Sequence, residues 1–210
     1  MTQHQTAGST PRRRSKKGDE SRRKILDATF QIANELGYQG TTIALVSERS
    51  GLPASSVYWH FTDKDQLFAA VIDHSFHSWR AAQPKWAAPS PTSDLAAELH
   101  ERISDATASI AGNPEFWRMG LLLALERQVI EPEARRRFVD IRSGVRADLA
   151  RFWAHALADR AEDTSLLTAR LAHFTLIVTD GIFVAAQSDD DLDLDAMTQM
   201  LVKALLANAL

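Results

Sequence analysis

The stretch that decides the fold occupies residues 41–67 and reads TTIALVSERSGLPASSVYWHFTDKDQL. Thr41 and Thr42 stand where an N-cap is needed, because a threonine hydroxyl can accept a hydrogen bond from the first turn of a helix. Gly51 readily adopts the positive φ that a tight turn between two helices requires. Pro53 suits the first position of the helix that follows. The spacing therefore predicts two short helices, 43–50 and 54–60.

Two helices joined by a short glycine-containing turn form the layout in which the second helix enters the major groove of DNA. In the second predicted helix only Val57 is plainly apolar. A buried helix would not be so polar, whereas a helix that reads base edges needs such side chains. For His60, a position that merely ends the helix is an alternative interpretation. The candidate reading residues are Ser55, Ser56, Tyr58, Trp59 and His60.

The same stretch resembles the TetR family of transcriptional regulators, and the resemblance covers roughly residues 21–75. It is carried by Thr42, Val46-Ser47, Gly51-Leu52, Ser55-Ser56, the run from Val57 to Phe61, and Lys64. It implies an all-α fold with an N-terminal three-helix helix-turn-helix domain and a C-terminal helical bundle for ligand binding and dimerisation. It also implies phosphate contacts from Thr42 and Lys64, and groove contacts from the reading residues. The sequence departs from the family pattern at Ser47, Pro53, Ala54 and Trp59.

Composition limits the classes of function. The chain has 210 residues, of which 45% are hydrophobic and 24% charged, as expected for an ordinary globular protein. It has no cysteine, which excludes a disulfide framework, a thiolate nucleophile and a cysteine-ligated metal. Uncharged stretches in the helix-rich middle, such as 119–125, are far shorter than a membrane span, and no signal peptide is evident. We therefore expect a cytoplasmic protein with no membrane partner.

The small net charge of −3 hides an asymmetry. Residues 1–64 carry ten basic and six acidic side chains, and the rest of the chain is acidic. Residues 1–20 hold the cluster Arg12, Arg13 and Arg14 and almost nothing to bury, which predicts a disordered basic arm. Such an arm would add salt-dependent affinity for DNA or reach into the minor groove. A solubilising tail is the alternative interpretation.

The remainder of the chain reads as helices. The first predicted helix runs from about Ser21 to Leu36 and stops at Gly37, and later helices begin near Lys64, Ser93, Pro114, Glu131 and Asp163, with a last one ending at Leu210. No run of alternating apolar residues indicates a strand. The predicted divisions are a basic arm (1–20), a helix-turn-helix domain (21–66) and a helical ligand-binding and dimerisation domain (67–210).

The last two helices carry apolar residues at the four-three spacing of a packing seam. The family resemblance implies that they form a homodimer interface, and the alternative is the core of a monomeric bundle. The predicted interface residues are Leu167, Leu171, Phe174, Val178, Met197, Leu201 and Ala204.

The resemblance also implies a pocket for a small-molecule effector among the middle helices. Its candidate lining residues are aromatic residues and a methionine near lone polar groups, although each of them also fits ordinary core packing. They are Trp79, Phe116, Trp117, Met119, Trp153 and Phe174, with His173 or Asp180 as polar anchors.

Other patterns are weaker. The alternating aspartates at 189–195 lack the glycine and glutamate of a calcium-binding loop. His74, His77 and His100 do not form a convincing metal set, and Arg135–Arg137 have glutamates four residues away with which to pair. No catalytic or phosphate-binding motif is present. The sequence therefore predicts no catalytic residue, metal or cofactor.

The resulting interpretation is a homodimeric regulator, most simply a repressor released from a double-stranded DNA operator by a small-molecule effector. A second hypothesis is a DNA-binding protein that activates or organises DNA without a ligand. A third is a helical bundle that binds or transforms a small molecule and keeps a vestigial DNA-binding end.

Overall fold

The computed structural model describes residues 12–90, 93–112, 114–125, 133–160 and 162–209. Within these residues the chain is all helical, without a strand, as the sequence predicts. The helices are α1 (Arg12–Gly40), α2 (Ile43–Ser50), α3 (Ala54–His60), α4 (Lys64–Ala82), α5 (Leu95–Gly112), α6 (Pro114–Leu125), α7 (Glu133–Ala156), α8 (Ser165–Ala186) and α9 (Leu194–Ala209).

Local signals define the ends of the short helices. The Thr42 hydroxyl accepts a hydrogen bond from the Leu45 N–H at 3.2 Å and caps α2. Gly51 ends α2 in the left-handed conformation, with φ 67°. Asp63 caps α4 by accepting from the Gln66 N–H at 2.8 Å. Gly37 also has a positive φ, 70°, and interrupts α1 directly after Leu36. The predictions for Thr42, Gly51 and Gly37 are confirmed.

Two details differ from prediction. Pro53 is the N-cap of α3 instead of its first helical residue, and it provides no side-chain cap. Helix α1 begins at Arg12, so residues 12–20, which we expected to be disordered, are helical, and residues 1–11 lie outside the described part. Glu20 pairs with Lys24 one turn later at 3.1 Å, and such pairs support an exposed helix.

The larger core is aromatic and joins both halves of the chain. It includes Ile25 of α1, Val57 of α3 and Phe68 of α4, and continues without a break into α6 and α7. The indoles of Trp79 and Trp117 stack at 5.2 Å, and the ring of Phe116 lies against both of them. The predicted division after residue 66 therefore falls inside one continuous core.

Polar contacts fix α4 against α7 along its length. The Asp65 carboxylate accepts a hydrogen bond from the Glu133 N–H at 2.7 Å and so satisfies a free donor at the start of α7. Further along, Arg137 pairs with Asp73, and Arg80 pairs with Asp148 at 3.1 Å. The expected pairing of Arg137 with Glu133 is wrong, because the carboxylate that meets Arg137 belongs to α4.

Helix α8 is the one helix in the described residues that is long and apolar enough to cross a membrane by length and composition alone. Its inner side packs on the protein: Leu171 and Phe183 are buried, and Asp180 forms an ion pair with Arg142 of α7. Its outer side carries exposed apolar residues, described below. Burial of one side therefore accounts for part of its apolar composition.

The close approach of α6 and α7 generates a test. A Cβ added at Gly120 would collide with the buried ring of Phe138. We expect Gly120→Ala to lower the free energy of unfolding by about 1–3 kcal/mol, as overpacking of a core does. Chemical denaturation followed by circular dichroism measures the change.

Gly144, which is exposed on α7, is the matched control, because no atom lies within 4 Å of an added Cβ there. Gly144→Ala should raise the free energy of unfolding by about 0.5–1 kcal/mol, since alanine is the better helix former. Equal effects of the two substitutions would contradict this description of the α6–α7 contact.

Candidate nucleic-acid interface

Helix α3 separates its core residues from its surface residues cleanly. Val57 is fully buried, and Phe61, directly after the helix, is nearly so. On the outer face Trp59 is 75% exposed and Tyr58 is 58% exposed. Exposed aromatic rings of this size normally mark a contact surface. The structure also leaves Ser55 exposed and Ser56 and His60 partly accessible, so the five candidate reading residues can all be approached from outside.

The turn before α3 is held by serine hydroxyls. Ser47, where the family usually has alanine, donates its hydroxyl to the Leu52 carbonyl at 2.7 Å. A bidentate pair between Arg49 of α2 and Glu35 of α1, with N–O distances of 2.7 and 2.9 Å, fixes α2 on α1. The arginine lowers the pKa of the Glu35 carboxyl. These contacts set the angle at which α3 is presented, and sequence reasoning did not identify them.

The extended α1 runs beside α3. A Cβ added at Gly18 would lie 3.9 Å from the ring of Trp59, and the Arg22 guanidinium lies 5.4 Å from the ring centroid of Phe61. Lys16 and Lys17 are exposed on the same helical segment. The segment of α1 that carries these basic residues therefore lies next to the exposed face of α3. The four-residue spacing of acidic and basic residues, Asp19 with Arg23 and Glu20 with Lys24, was the signal that could have predicted this extra helix.

Three of the predicted DNA contacts lie on the arm. The backbones of Arg12, Arg13 and Arg14 belong to α1, and their side chains lie outside what the structure describes.

Lys64 and Thr42 lie at the helix starts that flank α3. Thr42 is exposed, and its hydroxyl oxygen is used as the cap of α2. The Lys64 ammonium lies 4.4 Å from the centroid of the Tyr38 ring and 3.4 Å from the Gln39 carbonyl. Lys64 therefore also attaches the start of α4 to the end of α1, a role that the sequence did not reveal.

His60 is the titratable residue of α3 with a clear perturbation. Burial lowers its pKa first, and the nearby Arg22 lowers it further. At a pH above the ordinary pKa of histidine, the His60 ring is uncharged in both the folded and the unfolded chain. As the pH falls from there, the unfolded chain takes up the proton first, so acidification costs stability. At neutral pH the ring is therefore an uncharged hydrogen-bonding group.

The predicted pocket residues are not brought together around one cavity. Trp79, Phe116, Trp117 and Met119 pack in the larger core, and Trp153 lies in a second cluster with Leu99 and Leu201. Their aromatic character reflects core packing, which was the alternative interpretation.

The predicted polar anchors of that pocket already have partners. Asp180 accepts from the Trp117 indole N–H at 3.0 Å and from Arg142 at 2.9 Å. His173 and Phe174 lie on the exposed side of α8, where the ring of His173 meets Arg146 at 2.6 Å.

Two of the pocket candidates do line an opening of about 250 Å³ between α1, α4 and α6. We name it the α1–α4–α6 cleft. Its lining consists of Asp27, Phe30, His74, Ser75, Ser78, Trp79, Glu115 and Phe116.

The predicted dimer seam is divided between two environments. Leu171 and Leu201 are buried in the second cluster with Phe152, so they face the core of their own chain. Leu167 and Val178 pack partly on that cluster, and Met197 and Ala204 are half-buried. Phe174 alone of the seven is exposed. The exposed apolar face of α8 lies beside the predicted one, and its members are Leu166, Phe174, Ile177 and Val184.

Comparison with known proteins finds relatives of the helix-turn-helix segment. The family described as bacterial regulatory proteins, tetR family, matches residues 25–71, which span α1 to α4. The regulator BetI of Burkholderia mallei is 33% identical over 91 residues, 42% of this chain and 47% of BetI. The match covers less than half the length of such curated relatives.

Solved structures extend the similarity of fold to most of the chain. The regulator FadR from Bacillus subtilis, in complex with stearoyl-CoA, has a TM-score of 0.66 at 16% identity over 89% of this chain and 98% of FadR. The multidrug binding protein EbrR complexed with proflavin has a TM-score of 0.58 at 22% identity over 88% of this chain and 99% of EbrR. The helix-turn-helix segment at residues 25–71 therefore matches the family described as bacterial regulatory proteins, tetR family, and the all-helical fold is matched along most of the chain.

Proposed function

We propose that the protein is a sequence-specific DNA-binding transcriptional regulator that acts from the cytoplasm. The observation that carries the proposal is the exposed polar and aromatic face of α3 beside the basic segment of α1. Tyr58, Trp59, Ser55 and Ser56 read the major groove, while Thr42 and Lys64 contact phosphates at its walls. The basic arm with Arg12, Arg13 and Arg14 adds affinity that does not depend on sequence.

The reading unit is a homodimer. Two copies of α3 related by a two-fold axis match a palindromic operator, and symmetry doubles the contacts. The exposed face of α8 supports this assembly, because Ile177 is 65% exposed and Val184 is 57% exposed in the single chain. Gly181, between them, is exposed with no atom within 4 Å of an added Cβ, which permits close approach of a second helix.

The simplest form of regulation is repression relieved by a small-molecule effector. The relatives BetI and AcrR carry the names of transcriptional regulators, which supports a role other than catalysis. The ligands named with FadR and EbrR differ widely in chemistry, stearoyl-CoA in one and proflavin in the other. The fold therefore does not decide which effector this chain takes.

The reading role of α3 is tested with Tyr58→Ala. Loss of one base contact should weaken binding to the operator by about 1–3 kcal/mol while leaving the helical content unchanged, because Tyr58 lies outside the core. The measurement is fluorescence anisotropy with duplex DNA from the region upstream of the gene, beside a scrambled duplex. Leu122→Ala, an exposed residue on α6, is the control. The reading role is refuted if Tyr58→Ala binds each of the two duplexes with the same affinity as the wild type.

The charge state of His60 generates a salt-dependence test. A charged side chain that neutralises one phosphate contributes about −0.9 to the slope of log K against log salt concentration. His60→Gln should leave the slope unchanged at neutral pH, since its lowered pKa keeps the ring uncharged. Replacing Arg12, Arg13 and Arg14 together by Gln should make the slope shallower by up to about 3. A shallower slope for His60→Gln would contradict the assignment of an uncharged ring.

The dimer is tested at Ile177. Ile177→Asp should convert the dimer to a monomer in sedimentation equilibrium, because a carboxylate would have to be desolvated at the interface. Leu122→Asp places the same charge on an exposed leucine of α6 and should leave the dimer intact. A wild-type protein that sediments as a monomer, or equal behaviour of the two variants, would refute α8 as the interface.

A further inference from the structure

We propose that the α1–α4–α6 cleft is a binding site for a small organic cation, an ammonium group attached to an apolar or aromatic body. The inference deepens the proposed function, on which it rests for the link to DNA. It places an effector site between the DNA-reading half of the chain and the helical bundle.

The walls of the cleft are aromatic. Phe30 comes from α1, Trp79 from α4 and Phe116 from α6, and the rings of Trp79 and Phe116 lie 5.3 Å apart. Aromatic faces attract cations through their negative quadrupole and also bury apolar surface. A volume of about 250 Å³ is near the lower end of ligand pockets, so a one-ring ligand suits it.

The charges of the lining residues select a cation. Asp27 and Glu115 bring carboxylates to the cleft from opposite helices, and neither lysine nor arginine is among its described lining residues. Asp27 is hydrogen-bonded to the His74 ring at 3.0 Å, and half of its side chain stays exposed. Glu115 lies in the first turn of α6, where the helix dipole favours the ionised carboxylate. An anionic ligand would meet these two carboxylates with no lysine or arginine in the described lining to balance them.

The indole ring of Trp79 lines the cleft from α4. Trp79 is 6% exposed, and its indole N–H has no hydrogen-bond partner in the described part of the chain. The N–H itself is buried, so the part of Trp79 that a ligand in the cleft meets is its ring. The hydroxyls of Ser75 and Ser78 are occupied with backbone carbonyls of their own helix.

The position of the cleft links an occupant to DNA binding. A ligand there contacts α1, which runs beside α3, and α4, which begins at Lys64. Suppose that the affinity for such a ligand depends on the relative position of α1 and α4, and that DNA binding depends on it too. Then DNA changes the affinity for the ligand, and the ligand changes the affinity for DNA by the same factor.

The test uses 2-phenylethylammonium as the probe, with 2-phenylethanol as the neutral analogue and phenylacetate as the anionic one. Each is titrated into the ¹⁵N-labelled full-length protein without DNA, and the indole N–H signals of the five tryptophans are followed. The Trp79→Phe variant assigns the signal of Trp79. Trp153, in the second cluster, is the internal control.

The expected result is a saturable shift of the Trp79 signal with the cation, at least tenfold weaker binding of the neutral analogue, and no binding of the anion. The double variant Asp27→Asn/Glu115→Gln should bind the cation at least tenfold more weakly. Glu20→Gln, on the same helix as Asp27 but outside the cleft, should bind it as the wild type does. Thermal unfolding of the variants verifies that they fold.

The proposal is overturned if the three probes bind alike, if the double variant keeps its affinity for the cation, or if the shift appears at Trp153 instead of Trp79. Because the titration contains no DNA, this failure is separate from failure of the proposed DNA-binding role. The anisotropy titration with Tyr58→Ala tests that role independently.

Discussion

The structure depends on the burial of one helix, α4, by both halves of the chain. Phe68 and Val71 are fully buried in a core that reaches Ile25 of α1 on one side and Phe138 of α7 on the other. Burial of a large apolar side chain is worth roughly 1.5–3 kcal/mol, and α4 contributes several of them. The half of the chain that carries the helix-turn-helix therefore has no separate core at this boundary, and its position is coupled to that of the bundle by close packing.

Polar contacts add direction to this apolar attachment. Two apolar surfaces in contact can slide past each other. In contrast, the hydrogen bond from the Glu133 N–H to Asp65 and the ion pair of Arg80 with Asp148 form only at one relative position of α4 and α7. They lie near opposite ends of α4, so together they fix both its register and its tilt on α7. The Arg118 guanidinium, which donates to the Asn34 carbonyl at 3.0 Å, does the same between α6 and α1. Movement of the bundle relative to α3 has to break or exchange these bonds, which is what a two-state regulatory protein requires.

Sequence reasoning predicted the local features that depend on residues close together in the chain. The cap at Thr42, the left-handed Gly51 and the polar surface of α3 follow from residues a few positions apart, and each has a specific chemical cause. It did not predict which partner meets Arg137, because Asp73 is 64 residues away and only the fold brings it near. The periods of α8 and α9 were correct, but periodicity alone does not distinguish the face that meets the chain's own core from the face left outside, so Leu171 of α8 and Leu201 of α9 were assigned to the dimer interface although both are buried in the core. The aromatic pocket candidates are separated for a related reason, since tryptophan fills cores as well as it lines cavities: Trp117 and Trp153 pack in core clusters, whereas Trp79 and Phe116 also line the α1–α4–α6 cleft. The DNA contacts, the dimer and the effector stay predictions.

The position of Trp59 has a practical consequence for spectroscopy. Trp79, Trp117 and Trp153 are buried and Trp86 is half-buried, whereas Trp59 stands in water at the tip of the reading helix. An indole in water emits at longer wavelength than one in a core, so the red edge of the emission spectrum belongs chiefly to this single residue. The protein thus carries its own fluorophore at the surface proposed to meet DNA, and unlabelled protein can report contact there in real time while the core tryptophans report on folding.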